Sequence, residues 1–213
     1  MNRMHATREV AAKLGVVLIA VLGSCLLVAP DVARAGAPED DKGIFLGLKL
    51  GGASLHADES SDAFFVKDDG GGLQLDIGYR FNPVFMLELV IGGSTHETSD
   101  PSIEARTAAV QLFAHHRFLA DRPFRPYLKG GFGGYALRLE SGPISAQLNG
   151  GGIAIGGGFR FFFSPHFSLG VDLTHNMIRY EEAQLSLGEF GYQTSIDEYG
   201  SLTTLGVMFG YSF

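Results

Sequence analysis

Three groupings of residues in this chain are candidates for chemistry, and each must be placed on a backbone before it means anything. His175 could accept a proton from a nearby hydroxyl in general-base fashion. Its neighbour Thr174 points to the other face of an alternating segment, however, and His175-Asn176-Met177-Ile178 supplies no serine nucleophile. His115-His116 offers two imidazoles, but adjacent strand residues face opposite sides and cannot chelate one metal together. The glycine clusters at 130–134 and 150–158 contain loose Gly-x-Gly-x-x-Gly matches. No helical pattern and no Gly-Lys-Ser/Thr follows either, so a phosphate cradle fails its own context. Strand glycines that relieve crowding explain them.

The charges are more informative. With alternate residues assigned to one face, Lys49, Arg80, Arg117, Arg125, Lys129 and Arg160 share that face with Asp76, Glu88 and Asp172. Buried charges are tolerated only when paired or hydrated. Asp76 and Glu88, on neighbouring segments, could share Arg80 and Arg117, while Asp172 could meet Arg160 or Lys129. The result is an ion-pair network filling an enclosed space, with surplus arginine at one end able to attract anions. A narrow anion-favouring pore is the alternative to a fixed plug.

The element that positions these residues is a β-strand with two unlike faces. Leu73-Gln74-Leu75-Asp76-Ile77-Gly78-Tyr79-Arg80-Phe81 alternates strictly, as do residues 167–174 and 205–213. Eight strands are expected, at about 43–54, 71–81, 85–93, 105–118, 124–139, 151–163, 167–178 and 201–213. Asn82-Pro83-Val84, Leu119 to Pro123 and Ser164-Pro165-His166 read as short turns. Leu55 to Gly70, Ser94 to Glu104, Glu140 to Gly150 and Arg179 to Gly200 read as long polar loops. Short turns at one end and long loops at the other fit an eight-stranded antiparallel up-and-down transmembrane barrel.

Composition narrows the choice further. The chain has 213 residues, a formal charge of -7, 18% charged residues, 30 glycines, one cysteine and no tryptophan. That charge disfavours nucleic-acid binding, which needs clustered cations. A single cysteine excludes an internal disulfide framework and a multi-cysteine zinc site, and no metal or other cofactor is expected. Arg3, Arg8 and Lys13 precede an apolar run from Leu14 to Ala29, and Ala33-Arg34-Ala35 follows as a small-x-small site. Residues 1–35 therefore read as a secretory signal peptide, with 36–213 the barrel domain. The run is short for a spanning helix. Leu22-Gly23-Ser24-Cys25 resembles a lipoprotein cleavage box, but apolar residues continue through Ala29.

A soluble barrel with an apolar interior must be weighed against one facing lipid. Tyr79, Phe81, Phe85, Phe118, Phe124, Phe161, Phe163, Phe167, Tyr211 and Phe213 cluster beside the short turns, nearly all on the apolar face. One ring of aromatics at one height is an interfacial girdle, so the apolar face meets lipid. The opposite face is read as mainly Gly, Ala, Ser, Gln and a few charges, small enough for an eight-stranded lumen.

With these features the chain resembles the small eight-stranded outer-membrane barrels of Gram-negative bacteria, the group of OmpA-type transmembrane domains, OmpX, OmpW and opacity proteins. Arg125-Pro126-Tyr127-Leu128-Lys129-Gly130-Gly131-Phe132-Gly133-Gly134-Tyr135 and the terminal Gly210-Tyr211-Ser212-Phe213 carry the likeness alongside the leader. The resemblance implies that Leu205, Val207, Phe209, Tyr211 and Phe213 form a signal read by the barrel-insertion machinery. Met208 stands where that signal prefers glycine. No room is expected for a periplasmic peptidoglycan-binding domain. Lipid A deacylases of this size carry His-x-Ser-Asn, which His175 lacks. The expected protein is an integral outer-membrane monomer, in contact with membrane lipid and lipopolysaccharide. Its expected role is non-catalytic: envelope structure, or surface interaction through acidic loops. OmpW-like passage of small hydrophobic molecules is the alternative, and a lipid A-modifying enzyme a remote one. The acids of the loops (Asp58, Glu59, Asp62, Asp68, Asp69; Glu97, Asp100, Glu104; Glu140; Glu181, Glu182, Glu189, Asp197, Glu198) could bridge divalent cations or a basic partner, though Asp68-Asp69 lacks calcium-loop spacing.

Overall fold

The computed structural model describes residues 42–57, 66–98, 102–187 and 190–213. The expected leader lies outside the described residues, as do Asp58, Glu59, Asp62, Asp100 and Glu189. Eight strands run in chain order: β1 (Gly43–Ala57), β2 (Val66–Arg80), β3 (Phe85–Thr98), β4 (Glu104–Arg117), β5 (Phe124–Ser141), β6 (Ile144–Phe162), β7 (Phe167–Leu187) and β8 (Phe190–Ser212). Each pairs antiparallel with the next, and β1 pairs with β8 to close the barrel. Closure leaves no unpaired edge around that wall, which a sheet in hydrocarbon requires because lipid cannot satisfy backbone N–H and C=O groups.

Register sets the two faces. Leu48 faces Leu75 on β2 and Phe209 on β8, and all three are exposed on the outer wall. Gln111, Asp172 and Arg160 are buried inside. The short turns hold by side-chain capping of their own backbone. Asn82 Oδ1 accepts hydrogen bonds from the amides of Val84 (2.9 Å) and Phe85 (2.7 Å), and Ser164 Oγ accepts from that of Phe167 (2.9 Å).

The strands run further than alternation of apolar and polar residues suggested, which shortens all four expected loops and turns two of them almost wholly into strand. Glu140 to Gly150 is strand, turned only at Gly142-Pro143, where Gly142 takes φ 56° in the left-handed region. Arg179 to Gly200 is mostly paired strand as well, reaching Leu187 on β7 and resuming at Phe190 on β8. Asp68, Asp69, Glu97, Glu104, Glu140, Glu181, Glu182, Asp197 and Glu198 therefore lie on strands rather than in loops.

The reason is a change of solvent along the strands. Past the apolar belt the outer wall meets water, so outward residues become polar and inward ones apolar. Ser145, Gln147 and Asn149 register on one face, and Ile144, Ala146 and Leu148 on the other. The row Leu139–Ala146–Leu185–Tyr192 runs across β5, β6, β7 and β8 on that apolar face. A four-stranded sheet thus projects beyond the belt, with its inner face continuing the lumen wall.

Candidate functional site

Inward positions of all eight strands fill the lumen in layers. At its centre Asp172 on β7 gathers four donors. Lys49 Nζ lies 2.5 Å from Oδ1, Lys129 Nζ 2.7 Å from Oδ2, Tyr127 Oη 2.7 Å from Oδ2 and Thr174 Oγ1 2.9 Å from Oδ1. Beside it Glu88 on β3 accepts Arg160 Nη2 at 2.8 Å. His115 Nε2 lies 2.8 Å from the other Glu88 oxygen. These groups are almost fully buried, so each ion repays its desolvation only through such close contacts.

Arg160 is also packed by aromatic faces, 3.9 Å from the Phe45 ring centre and 5.2 Å from that of Tyr127. Phe45, Met86, Tyr127 and Met208 form an apolar layer around it. Lys129 sits 4.5 Å over Phe113, in a cluster with Val90 and Ala154. Towards the projecting sheet, Gln111 Nε2 donates to Tyr135 Oη (2.9 Å) and Asn176 Oδ1 (2.5 Å), and Asn176 Nδ2 donates to the carbonyl of Leu202 (2.6 Å). Above these, Ala53, Leu55, Leu137, Ile178, Tyr180 and Leu202 pack into an apolar cluster. A cavity of about 20 Å³ beside Gln74 and Thr204 has room for a single water.

All nine charged residues expected in the lumen are buried there; Asp172 meets Lys129 as expected, and the other pairings differ. Glu88 takes Arg160, not Arg80 or Arg117. Asp172 takes Lys129 and Lys49, and Arg160 is not among its partners. Arg80, Arg117 and Arg125 lie beside the short turns, where guanidinium groups donate to the carbonyls of Phe213 (3.5 Å), Asn82 (2.9 Å) and Arg122 (2.9 Å). Asp76 is buried, and its Oδ1 has no hydrogen-bond partner. Strand tilt explains the exchange. Residues close to a turn stay at the mouth, while cross-lumen partners are chosen by height on the barrel.

An expectation confined to charged residues omitted several groups now seen in the network. His115, Gln111 and Phe113 share the parity of Arg117; Tyr127 shares that of Lys129; Thr174 and Asn176 share that of Asp172. Parity was the signal that could have found them. The lumen is also less small and polar than expected, since Phe45, Met86, Phe113, Phe162 and Met208 all point inward.

On the outer wall, the expected girdle residues line the short-turn end. Tyr79, Phe81, Phe85, Phe118, Phe124, Phe163, Phe167 and Phe213 are exposed, and Phe161 and Tyr211 half-buried. Tyr79–Phe81, Phe167–Tyr211 and Tyr211–Phe213 pack edge to face at 4.8–4.9 Å between ring centres. Leu205, Val207 and Phe209 continue the outward row, while Met208 turns inward, its sulfur 3.7 Å from Arg160 Nη2. His175 Nδ1 sits 2.9 Å from Thr203 Oγ1, with Thr174 on the other face. His115 is buried and His116 exposed. Among the described residues no three metal-ligating side chains come together.

A closed eight-stranded antiparallel wall agrees with what comparison with known proteins finds. The family model for the outer membrane protein beta-barrel domain matches residues 19–213. The chain belongs to that family. It is an integral protein of the bacterial outer membrane. Among solved structures it is similar to the Neisserial surface protein A, at 16% identity and TM-score 0.54, covering 78% of this chain and 96% of that one. OprG of Pseudomonas aeruginosa follows at 16% identity and TM-score 0.55, covering 80% and 96%. Ail, the attachment invasion locus protein of Yersinia pestis, aligns at 16% identity and TM-score 0.51, covering 81% and 99%. These likenesses establish the fold alone. No curated protein matches the chain.

Proposed function

We propose that this barrel is a non-catalytic surface-interaction protein whose working surface is the projecting sheet, with the lumen serving as a fixed plug. One observation carries the reading. The inner face of that sheet is apolar yet open to water: Ile144 and Leu185 are exposed, Phe190 is 83% exposed and Tyr192 67%. Large exposed apolar groups outside the membrane mark a contact surface, because nothing in lipid burial accounts for them. Among the described residues, β1 pairs with β8 only as far as Ala57 and Gly200, so Phe190 to Tyr199 has its described partner on the β7 side alone. An extended segment of a partner protein fits such an edge, using backbone hydrogen bonds for affinity and the apolar face for selection. The layered ion pairs, amides and apolar clusters support a plug over OmpW-like passage, since each layer draws inward groups from at least three strands.

The experiment expresses the protein in a Gram-negative strain deficient in small barrels and measures adhesion of cells to a hydrophobic surface. Wild type raises adhesion, and a Phe190→Ser/Tyr192→Ser variant at equal surface abundance removes most of the gain. Equal adhesion by the two would overturn the reading. Planar-bilayer recordings of wild type and Arg117→Ala should both be silent, and the lipid A mass spectrum of the expressing strain should be unchanged. Channel events would favour the passage reading, and a lipid A mass shift the enzymatic one.

A further inference from the structure

The outer wall past the apolar belt carries charges with like opposite like. Arg106 on β4 is the registered partner of Arg138 on β5, and Glu104 that of Glu140. Directly opposed like charges on one face weaken a strand pair, where Arg opposite Glu would have strengthened it. Each arginine instead bonds the glutamate of its own strand. Arg106 Nη2 lies 2.7 Å from Glu104 Oε1, and Arg138 Nη2 2.7 Å from Glu140 Oε1. On β7, Arg179 and Glu181 repeat the order at 4.0 Å. In all three cases the arginine stands on the membrane side and the acid on the water side.

Just below the arginines the outer wall has a shallow, open recess. A recess of about 380 Å³ is lined by Gly71, Leu73, Gly93 and Thr95, with Arg106 at its lip. A Cβ at Gly71 would meet nothing within 4 Å, so its floor is open space. Leu73 and, on β4, Val110 carry the wall down into the exposed apolar belt. A second recess, of about 550 Å³, repeats the plan with Ile153 and Met177 below and Arg179 above.

We propose that Arg106 and Arg138 clamp the phosphomonoester of a lipid A-type glycolipid, one of whose acyl chains lies in the recess over Gly71 and Gly93. The charge complementarity is specific. Glu104 takes only two of the five N–H groups of Arg106, from Nε (3.1 Å) and Nη2 (2.7 Å), and two adjacent planar forks suit a phosphate better than two ammonium groups would. A phosphate between the guanidinium groups also relieves the opposition that the register imposes. This inference rests on membrane location and not on the projecting sheet.

Native mass spectrometry of the detergent-solubilised barrel tests it, with diphosphorylated lipid A, its dephosphorylated form and inorganic phosphate as probes. Wild type should prefer the phosphorylated lipid at least tenfold. The Arg106→Ala/Arg138→Ala pair should abolish that preference, and Glu104→Gln/Glu140→Gln should strengthen it. Gly71→Leu, which adds an uncharged side chain at a position whose Cβ meets nothing within 4 Å, should weaken lipid binding while the barrel keeps its heat-modifiable gel shift. Equal binding of both lipids, unchanged binding by the arginine pair and Gly71→Leu, or displacement by inorganic phosphate at the same concentration as lipid would each overturn the proposal.

Discussion

Lys49 and Asp172 meet at 2.5 Å in the centre of the lumen, although their strands β1 and β7 are separated in the wall by β8. The contact crosses the interior, and with Lys129 from β5 it ties three strands to one carboxylate. The barrel wall is held by its ladder, but its cross-section is held by this buried charge.

Removing that carboxylate should therefore cost more than removing one of its donors. Asp172→Asn leaves Lys49 and Lys129 buried without the carboxylate that bridges them, a loss of roughly 3–5 kcal/mol. Lys49→Met leaves Asp172 with Lys129, Tyr127 and Thr174 and should cost clearly less. Urea unfolding in lipid vesicles, followed by circular dichroism because the chain has no tryptophan, orders the two.

Two glycines predict opposite responses to the same added methyl. A Cβ at Gly51 would lie 2.1 Å from the carbonyl oxygen of Leu205, within the β1–β8 seam, whereas one at Gly71 meets nothing within 4 Å. Gly51→Ala should destabilise by about 1–3 kcal/mol through overpacking, and Gly71→Ala should be neutral. Retention of the folded band on unheated gels across a urea series separates them.

The alternation that marks Leu73 to Phe81 sufficed for the wall, because a lipid-facing strand buries one face in each of two unlike media. It did not suffice for Phe45, which sits between Ile44 and Leu46 and carries no contrast with its neighbours. Nor did it sort Arg160 between Asp172 and Glu88. That choice depends on height, which strand tilt sets and a period of two does not encode. The projecting sheet was hidden for a third reason: its outward Ser145, Gln147 and Asn149 are polar in the way a loop is. The same physics reads them correctly once the outer solvent changes from hydrocarbon to water.

The projecting hairpin should loosen in acid. Arg179 donates from Nε and Nη2 to the two oxygens of Asp197 at 2.8 and 3.1 Å, and these hydrogen bonds hold the Asp197 carboxyl below its ordinary value of 3.8. A carboxyl depressed on folding contributes its full stabilisation above the ordinary value and loses it as pH falls through the folded value. Hydrogen exchange of the β7–β8 amides between residues 179 and 199 should rise below that pH, and Asp197→Asn should abolish the pH response without abolishing exchange protection at neutral pH. Both residues are exposed, so the barrel below should not respond.

A charge should be tolerated on the outer wall past the apolar belt and not within it. Leu75 is exposed within the apolar belt, and Leu75→Arg near the bilayer midplane should cost roughly 2–4 kcal/mol in lipid vesicles. Ser145→Arg, outward on β6 past that belt and opposite Glu140, should cost under about 1 kcal/mol. Reversible unfolding in the same vesicles gives both values.

The central claim is that apolar side chains face hydrocarbon and hydrophilic ones a closed interior. Spin labels at single cysteines replacing Gln74, Leu75, Asp76 and Ile77, in protein reconstituted in bilayers, test it most directly. Oxygen, which concentrates in lipid, should broaden the labels at 75 and 77, while those at 74 and 76 should be shielded from both oxygen and a water-soluble nickel reagent. Labels at 75 and 77 that are protected from oxygen, with 74 and 76 freely reached by nickel, would contradict it.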